Sequence, residues 1–496
     1  VIIPALGVGF AQTLNVTTPL CNLNGTTVSG CTPGSANPAA SIFRVGQDGT
    51  LPVPTFPPQG NPVVPAWGLI NGKVVKFPEI FSFQDDPTIK VGRNYAVDLT
   101  IQRELPGNMI LEVGYAGRLG RKLPQSMSLG QSPYNFKDQA SGQTFAQAFD
   151  AVATAVRNKT TVTPQPWFEN QVPGGTLSLV NSTAALFQNG NVSSLFSSID
   201  TLRLKAGLAP FNNYLAQGIF LRSSTGTSNY HAMFVTLDKR ISRGLQFGVN
   251  YTLSRSMDEV GAVQNSAGLV PNSFNLFTEY GPSAFDYRHT FSGTWLYELP
   301  FKSSNAALNR AVRGWYISGV FTALSGAPYI VTESAQVWGG TLQLGNTVGA
   351  VPTVSPGTFG GGVHSGVTTS PTGLNLFANP ASVLSKFRPV LLGSDGRSGR
   401  DNPVRGLGHW NLDTSFGKKT TLTERLQLVF SADFFNFFNH LILCDPGANN
   451  PGPNTTCGGS LSLTSPASFG VLSTQFIPGN RTSGSRWIQL SFRVEF

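Results

Sequence analysis

Arg486-Trp-Ile-Gln-Leu-Ser-Phe-Arg-Val-Glu-Phe496 is the stretch whose reading decides the fold. Ile488, Leu490, Phe492, Val494 and Phe496 fall on one face, and Gln489, Ser491, Arg493 and Glu495 on the other. A period of two over that length is a strand with one apolar and one polar side. About ten such residues also suit a tilted strand that crosses a bilayer. The competing reading is the last strand of a soluble sandwich. Recurrence of the same pattern upstream, at regular intervals, favours the membrane.

Working backwards, Leu426, Leu428 and Phe430 alternate with Gln427 and Ser431 and lead into Phe434, Phe435, Phe437 and Phe438. Trp410, Leu412, Thr414 and Phe416 alternate with Asn411, Asp413 and Ser415. Trp315, Ile317, Gly319 and Phe321 mark another strand, and residues 291–299 the one before it. Leu245 to Leu253 and Met233 to Leu237 alternate across a Ser242-Arg-Gly244 turn; Tyr95 to Ile101 and Leu111 to Tyr115 do so across Pro106-Gly-Asn108. Glycine in both tight turns favours hairpins. Short connections therefore fall near 106–108, 242–244, 300–314 and 417–423, and long ones near 120–229, 255–287, 325–408 and 439–485. Strict alternation of short and long is expected of antiparallel strands with turns at one end and loops at the other. The expectation is an all-β chain: the antiparallel strands of a transmembrane β-barrel portion over 90–496, with long outer loops, preceded by an irregular outer segment over 1–89.

Composition agrees. Charged residues make up 12% of the chain, with 55 Gly, 34 Pro and 11% aromatics, a mix poor in helix formers and rich in strand and turn formers. No apolar run approaches the roughly 18 residues of a membrane helix. A mean hydropathy of −0.02 is compatible with a barrel, whose lumen-facing residues dilute every strand. The net charge of +9 lacks the basic helix or aromatic-interleaved cluster of a nucleic-acid binder. Arg118, Arg121, Lys122, Lys239, Arg240, Arg243, Arg255 and Arg288 sit near strand ends instead, where long cations reach headgroup phosphates.

Cys21 with Cys31, and Cys444 with Cys457, bracket polar loop sequence, so two local disulfides in an oxidising compartment are expected. A zinc site is disfavoured, because no Cys-x-x-Cys or nearby His completes four ligands. His231, His289, His364, His409 and His440 are isolated from one another. No Gly-x-Ser-x-Gly or His-Glu-x-x-His string occurs, and Gly417-Lys-Lys-Thr lacks the upstream glycine of a phosphate loop. Asp395-Gly-Arg-Ser-Gly-Arg-Asp401 misses the spacing of an EF-hand loop. No enzyme activity, cofactor or metal is expected.

The strings Asn229–Asp258, Asp286-Tyr-Arg-His-Thr-Phe291, Arg313-Gly-Trp-Tyr-Ile-Ser-Gly319, Ser325-Gly-Ala-Pro-Tyr329 and Ala432-Asp-Phe-Phe-Asn-Phe-Phe-Asn-His440 resemble the barrel of Oar-like TonB-dependent outer-membrane transporters. The resemblance covers about residues 85–496. It implies the C-terminal part of a 22-stranded barrel in the outer membrane of a Gram-negative bacterium, filled by an N-terminal plug. The alternating end at Ile488, Leu490, Phe492, Val494 and Phe496 resembles the assembly signal that barrels of this membrane present to the barrel assembly machinery. About nine strands are legible, with no plug and no TonB box. The opening Val-Ile-Ile-Pro-Ala-Leu-Gly has neither initiator Met nor a basic n-region, as expected of the middle of a longer polypeptide. The function expected is a receptor or transporter section for a ligand the sequence does not name. Its partners would be outer-membrane lipid and lipopolysaccharide, and the plug and strands of its parent. The alternative is a processed or shed fragment that self-associates through exposed strand edges as a surface structural or adhesive protein.

Overall fold

The computed structural model describes residues 85–496 apart from 130, 173, 212–218, 260–269, 334–336, 340–347, 355–358, 360–361, 402, 424–425, 448–456 and 477–483; before residue 85 it describes short strand pieces only. Nine long strands follow one another as an antiparallel meander: β1 (Arg93–Leu105), β2 (Met109–Ser128), β3 (Ile219–Ser242), β4 (Leu245–Asp258), β5 (His289–Glu298), β6 (Trp315–Leu324), β7 (His409–Thr423), β8 (Leu426–Phe435) and β9 (Trp487–Glu495). Each pairs with its neighbours in sequence, so β1 and β9 lie at opposite edges. Ser82–Asp85 adds a short parallel pair to the start of β3. All nine expected strands are present.

Two boundaries differ from expectation. Residues 417–423 are not a turn: β7 runs on to Thr423, and the connection to β8 shrinks to two residues. Gly417 reads as a turn residue but lies directly across from Tyr316, whose ring occupies the space a Cβ would need. β8 stops at Phe435, before the aromatic run ends, because Asn436 takes a left-handed φ of +55°. Its side-chain amide then donates to the carbonyls of His440 and Gly484, which turns the chain away from the sheet.

The long connections, expected only as long outer loops, are folded. The first carries α1 (Phe145–Arg157), α2 (Pro166–Gln171), α3 (Gly175–Gln188) and α4 (Val192–Lys205). Thr144 caps α1 and Gln147 reaches back, a reciprocal capping box that satisfies two end donors. Phe145, Phe149 and Val152 then recur on one face and are fully buried. They join Trp167, Phe168, Phe187 and Phe196 in an aromatic core, with Phe145 and Phe196 ring centroids 4.4 Å apart. Val337, Trp338, Val390 and Leu392 of the third connection close this core. A second core joins the third and fourth connections through Val331, Leu376, Phe377, Val404, Leu407, Leu461 and Leu472.

Eleven of the twelve largest fully buried side chains belong to these connections, and the twelfth, Phe220, to the outward extension of β3. By contrast Leu490 and Phe492 of β9 are 69% and 67% exposed. The sheet is therefore a wall with two open faces, and the buried core sits in a cap over one end of it. β2 and β3 overrun their neighbours and pair out to Ser128 and Phe220, a ribbon that carries the first connection into the cap.

Candidate functional site

Residues directly opposed in antiparallel pairs share a face, so the register carries polarity from strand to strand. From Thr100 on β1 the shared face runs through Gly114 and Phe234 to Thr252, Thr290 and Leu324. From Asn250 it runs through Ser292, Thr322 and Asn411, and from Ser415 through Asp433 to Gln489. Every member of Gln489, Ser491, Arg493 and Glu495 lies on this polar face. Its hydrogen bonds run within it: Gln102 Nε2 donates to Glu112 at 3.2 Å and Thr236 Oγ1 to Asn250 Oδ1 at 2.9 Å. Ser415 Oγ donates to Asp433 Oδ1 at 2.5 Å, and Asn411 Nδ2 to Asp413 Oδ1 at 2.8 Å.

The opposite face holds Leu99, Tyr115, Met233, Leu253, Val249, Phe321, Leu412, Phe434, Ile488, Leu490, Phe492 and Val494. Its ionisable side chains gather at the two ends of the strands. Arg93, Arg121, His231, Arg255 and His289 lie toward the cap, and Arg103, Lys239 and Lys418 toward the short turns. No carboxylate joins them on the nine strands, while Asp98, Glu112, Asp238, Asp413 and Asp433 are all on the polar face. Arg118, expected at an interface, belongs to the polar face and pairs with Asp98 at 2.6 Å. Lys418 stands 5.2 Å from the Trp315 ring and donates to the Arg310 carbonyl, at the end of a short helix, α5 (Ala306–Val312).

Three of the five histidines meet aromatic residues at the cap end of the apolar face. Tyr115 Oη and His231 Nδ1 are 2.6 Å apart, Tyr251 Oη and His289 Nδ1 2.8 Å apart, and His440 stacks on Trp410 with centroids 4.2 Å apart. Sequence reading saw isolated residues because each partner lies on another strand or connection. His409 instead stacks on Phe476 within the cap.

The cap is tied together at one segment, residues 391–407. Asp150 of α1 accepts the Leu392 and Gly393 N–H groups at 2.9 and 2.7 Å. Glu279 of the second connection accepts Ser398 Oγ at 2.7 Å, and Arg400 reaches Asp258 at 2.5 Å. Arg405 pairs with Asp286 at 2.8 Å, and Asp445 of the fourth connection accepts the Leu407 N–H at 2.6 Å. Burial pushes the Asp150 carboxyl up to about 6, and that of nearby Glu333, which accepts the Val390 N–H, up to about 8. Burial also raises Glu279. Asp395 and Asp401, the two ends of the stretch that misses EF-hand spacing, are each taken by an arginine: Arg388 at 2.5 Å and Arg397 at 3.9 Å. Cys444 and Cys457 form a disulfide with Cα atoms 5.6 Å apart; Cys21 and Cys31 lie outside the described residues.

Comparison with known proteins follows the same line. The family described as "Outer membrane beta barrel domain" matches residues 10–489. The outer membrane transporter YddB from Escherichia coli is similar at 8% identity and a TM-score of 0.34, over 85% of this chain and 34% of that one. The ferric-catecholate import receptor Fiu from E. coli K12 is similar at 8% identity and a TM-score of 0.29, over 88% of this chain and 31% of that one. The chain thus spans about a third of the length of either. No curated protein matches it.

Proposed function

Because the chain belongs to the outer membrane beta barrel domain family, we propose that it is the C-terminal barrel section of a TonB-dependent transporter. It is an outer-membrane protein. In this reading the polar face lines a solute path and the apolar face meets lipid. The four long connections form an external cap over the path, and the short turns face the periplasm. One observation carries it: the apolar face of the nine-strand meander is exposed at Leu490 and Phe492, where a sandwich buries that face against a second sheet. Ile488, Leu490, Phe492, Val494 and Phe496 are the strand the assembly machinery would read. The class of solute is left open between oligosaccharides, peptides and chelated metals.

The test is single-cysteine labelling in outer-membrane vesicles with a membrane-impermeant maleimide. Thr236→Cys, Ser415→Cys and Ser491→Cys should label, while Val235→Cys, Leu412→Cys and Leu490→Cys should not. Equal labelling of the two sets would end the two-faced reading. Solute uptake that survives collapse of the inner-membrane proton gradient would end the TonB-dependent part of it.

A second reading rests on the sheet edges. β1 and β9 each have one long-strand neighbour among the described residues, and such edges can pair with another copy. Self-association as a surface structural element is that alternative. Zero-length crosslinking between cysteines placed on β1 and β9 separates the two, since intermolecular products favour self-association.

A further inference from the structure

One row of the polar face crosses the wall from end to end. From Gln102 on β1 the directly opposed residues are Glu112, Thr236, Asn250, Ser292, Thr322 and, on β7, Asn411. Every one carries a side chain that hydrogen-bonds, only Glu112 is charged, and none is buried. The rows on either side are interrupted. Gly114, Phe234 and Leu324 break one, and Ile110, Gly248 and Val320 break the other. Among the described residues the Ser292 and Thr322 hydroxyls and the Asn250 amide nitrogen have no hydrogen-bond partner, so the row has capacity to spare.

Register sets the course of this row. Gln102 stands three residues from the turn end of β1 at Leu105, and Asn411 two residues from the cap end of β7 at His409. Strand-to-strand steps of about 4.8 Å give the row a length of about 29 Å. With strands tilted by about 40°, a line perpendicular to them climbs about 19 Å over that length, most of the height of a barrel's apolar band. The row is therefore a ramp from the cap to the short turns, not a ring at one level.

We infer that this row is a binding track for a neutral, polyhydroxylated chain, an oligosaccharide. The inference rests on the reading of the polar face as a solute path and names the class of solute. Hydroxyl and amide side chains each donate and accept, as sugar hydroxyls do. At about 4.8 Å per strand, roughly one sugar ring meets each strand. Half-buried Ile110 and Phe234 and the exposed Val320 flank the track and offer apolar contact to the C–H faces of the rings. Glu112 on the row, with Asp238 and Asp413 beside it, repels anionic chelates. A peptide backbone binds by adding a strand to a sheet edge, and the backbones of β2 to β7 are already paired on both sides.

It is tested by the rate of maleimide labelling of Ser292→Cys in outer-membrane vesicles that carry the full chain with the strands completing its sheet. Millimolar maltohexaose, cellohexaose or xylohexaose should slow labelling at least threefold, and hexaglycine or a ferric catecholate should not. Ser491→Cys, on the polar face but off the row, should label alike in every case. Asn250→Leu with Thr322→Val should abolish the protection and leave the rate without sugar unchanged, which reports an intact wall. Equal rates with and without all three sugars overturn the inference, as does protection that survives the double substitution. Protection by the peptide or the chelate in place of the sugars overturns the sugar class. Failure of Ser292→Cys to label even without a ligand would show instead that the polar face is not a solute path, and the inference falls with that reading.

Discussion

Leu490 presents most of its side chain on the apolar face of the last strand. Arginine there should cost about 2–4 kcal/mol if the position lies near the bilayer midplane. Denaturant-driven folding into vesicles, with the strands that complete the sheet supplied, measures that loss, and Gln489→Arg on the polar face is the control expected to cost much less. Removing Phe496 should lower the amount of protein assembled in the outer membrane without lowering its synthesis; unchanged surface levels would remove its role as an assembly signal. In the cap, Asp150 faces Arg157 and Asp395, while Glu333 faces Arg157, Glu279 and Asp395. Both carboxyls are raised in the folded state, so folding favours their protonated forms. Their contribution is complete below the ordinary carboxylate range and is lost as pH rises through about 6 for Asp150 and about 8 for Glu333. The cap should therefore melt at higher temperature at pH 5 than at pH 8.5, as read from fluorescence of the buried Trp167 and Trp338. Asp150→Asn with Glu333→Gln should flatten that dependence.

At the level of elements, α1 depends on its Thr144–Gln147 box. Thr144→Ala should weaken the helix by about 1 kcal/mol, visible as faster proteolysis within residues 145–205 and unchanged protection of the strands. Reduction of Cys444–Cys457 should loosen the fourth connection by at most about 3 kcal/mol, the loop-closure value for a bridge spanning 13 residues. Non-reducing peptide mapping should also find Cys21 linked to Cys31. The strands were legible because one open face on each side imposes period two without interruption. The helices were missed for a local reason. Thr144-Phe-Ala-Gln147 followed by apolar residues at 145, 149, 152 and 156 is a helix start with helical spacing, but it sits inside a chain whose overall composition argues for strands. The Tyr–His contacts and the ties at residues 391–407 were illegible, since each joins parts of the chain that only the register brings together.

Over the whole molecule, nine described strands leave two edges, and unpaired backbone groups in hydrocarbon cost several kcal/mol each. Expressed alone with an export signal, residues 1–496 should yield no heat-modifiable, protease-resistant monomer in the outer membrane. Strands supplied from a longer parent or from another copy should restore one. A stable monomeric barrel from this chain would refute that account of closure. The segment 391–407 has a consequence for the order of events during biogenesis. It fastens to Asp150 across 242 residues, to Asp258 across 142 and to Asp286 across 119. During N-to-C synthesis and export, the first two connections therefore emerge well before the segment that locks them. They must stay unlatched until residues 391–407, which lie between β6 and β7, have followed them.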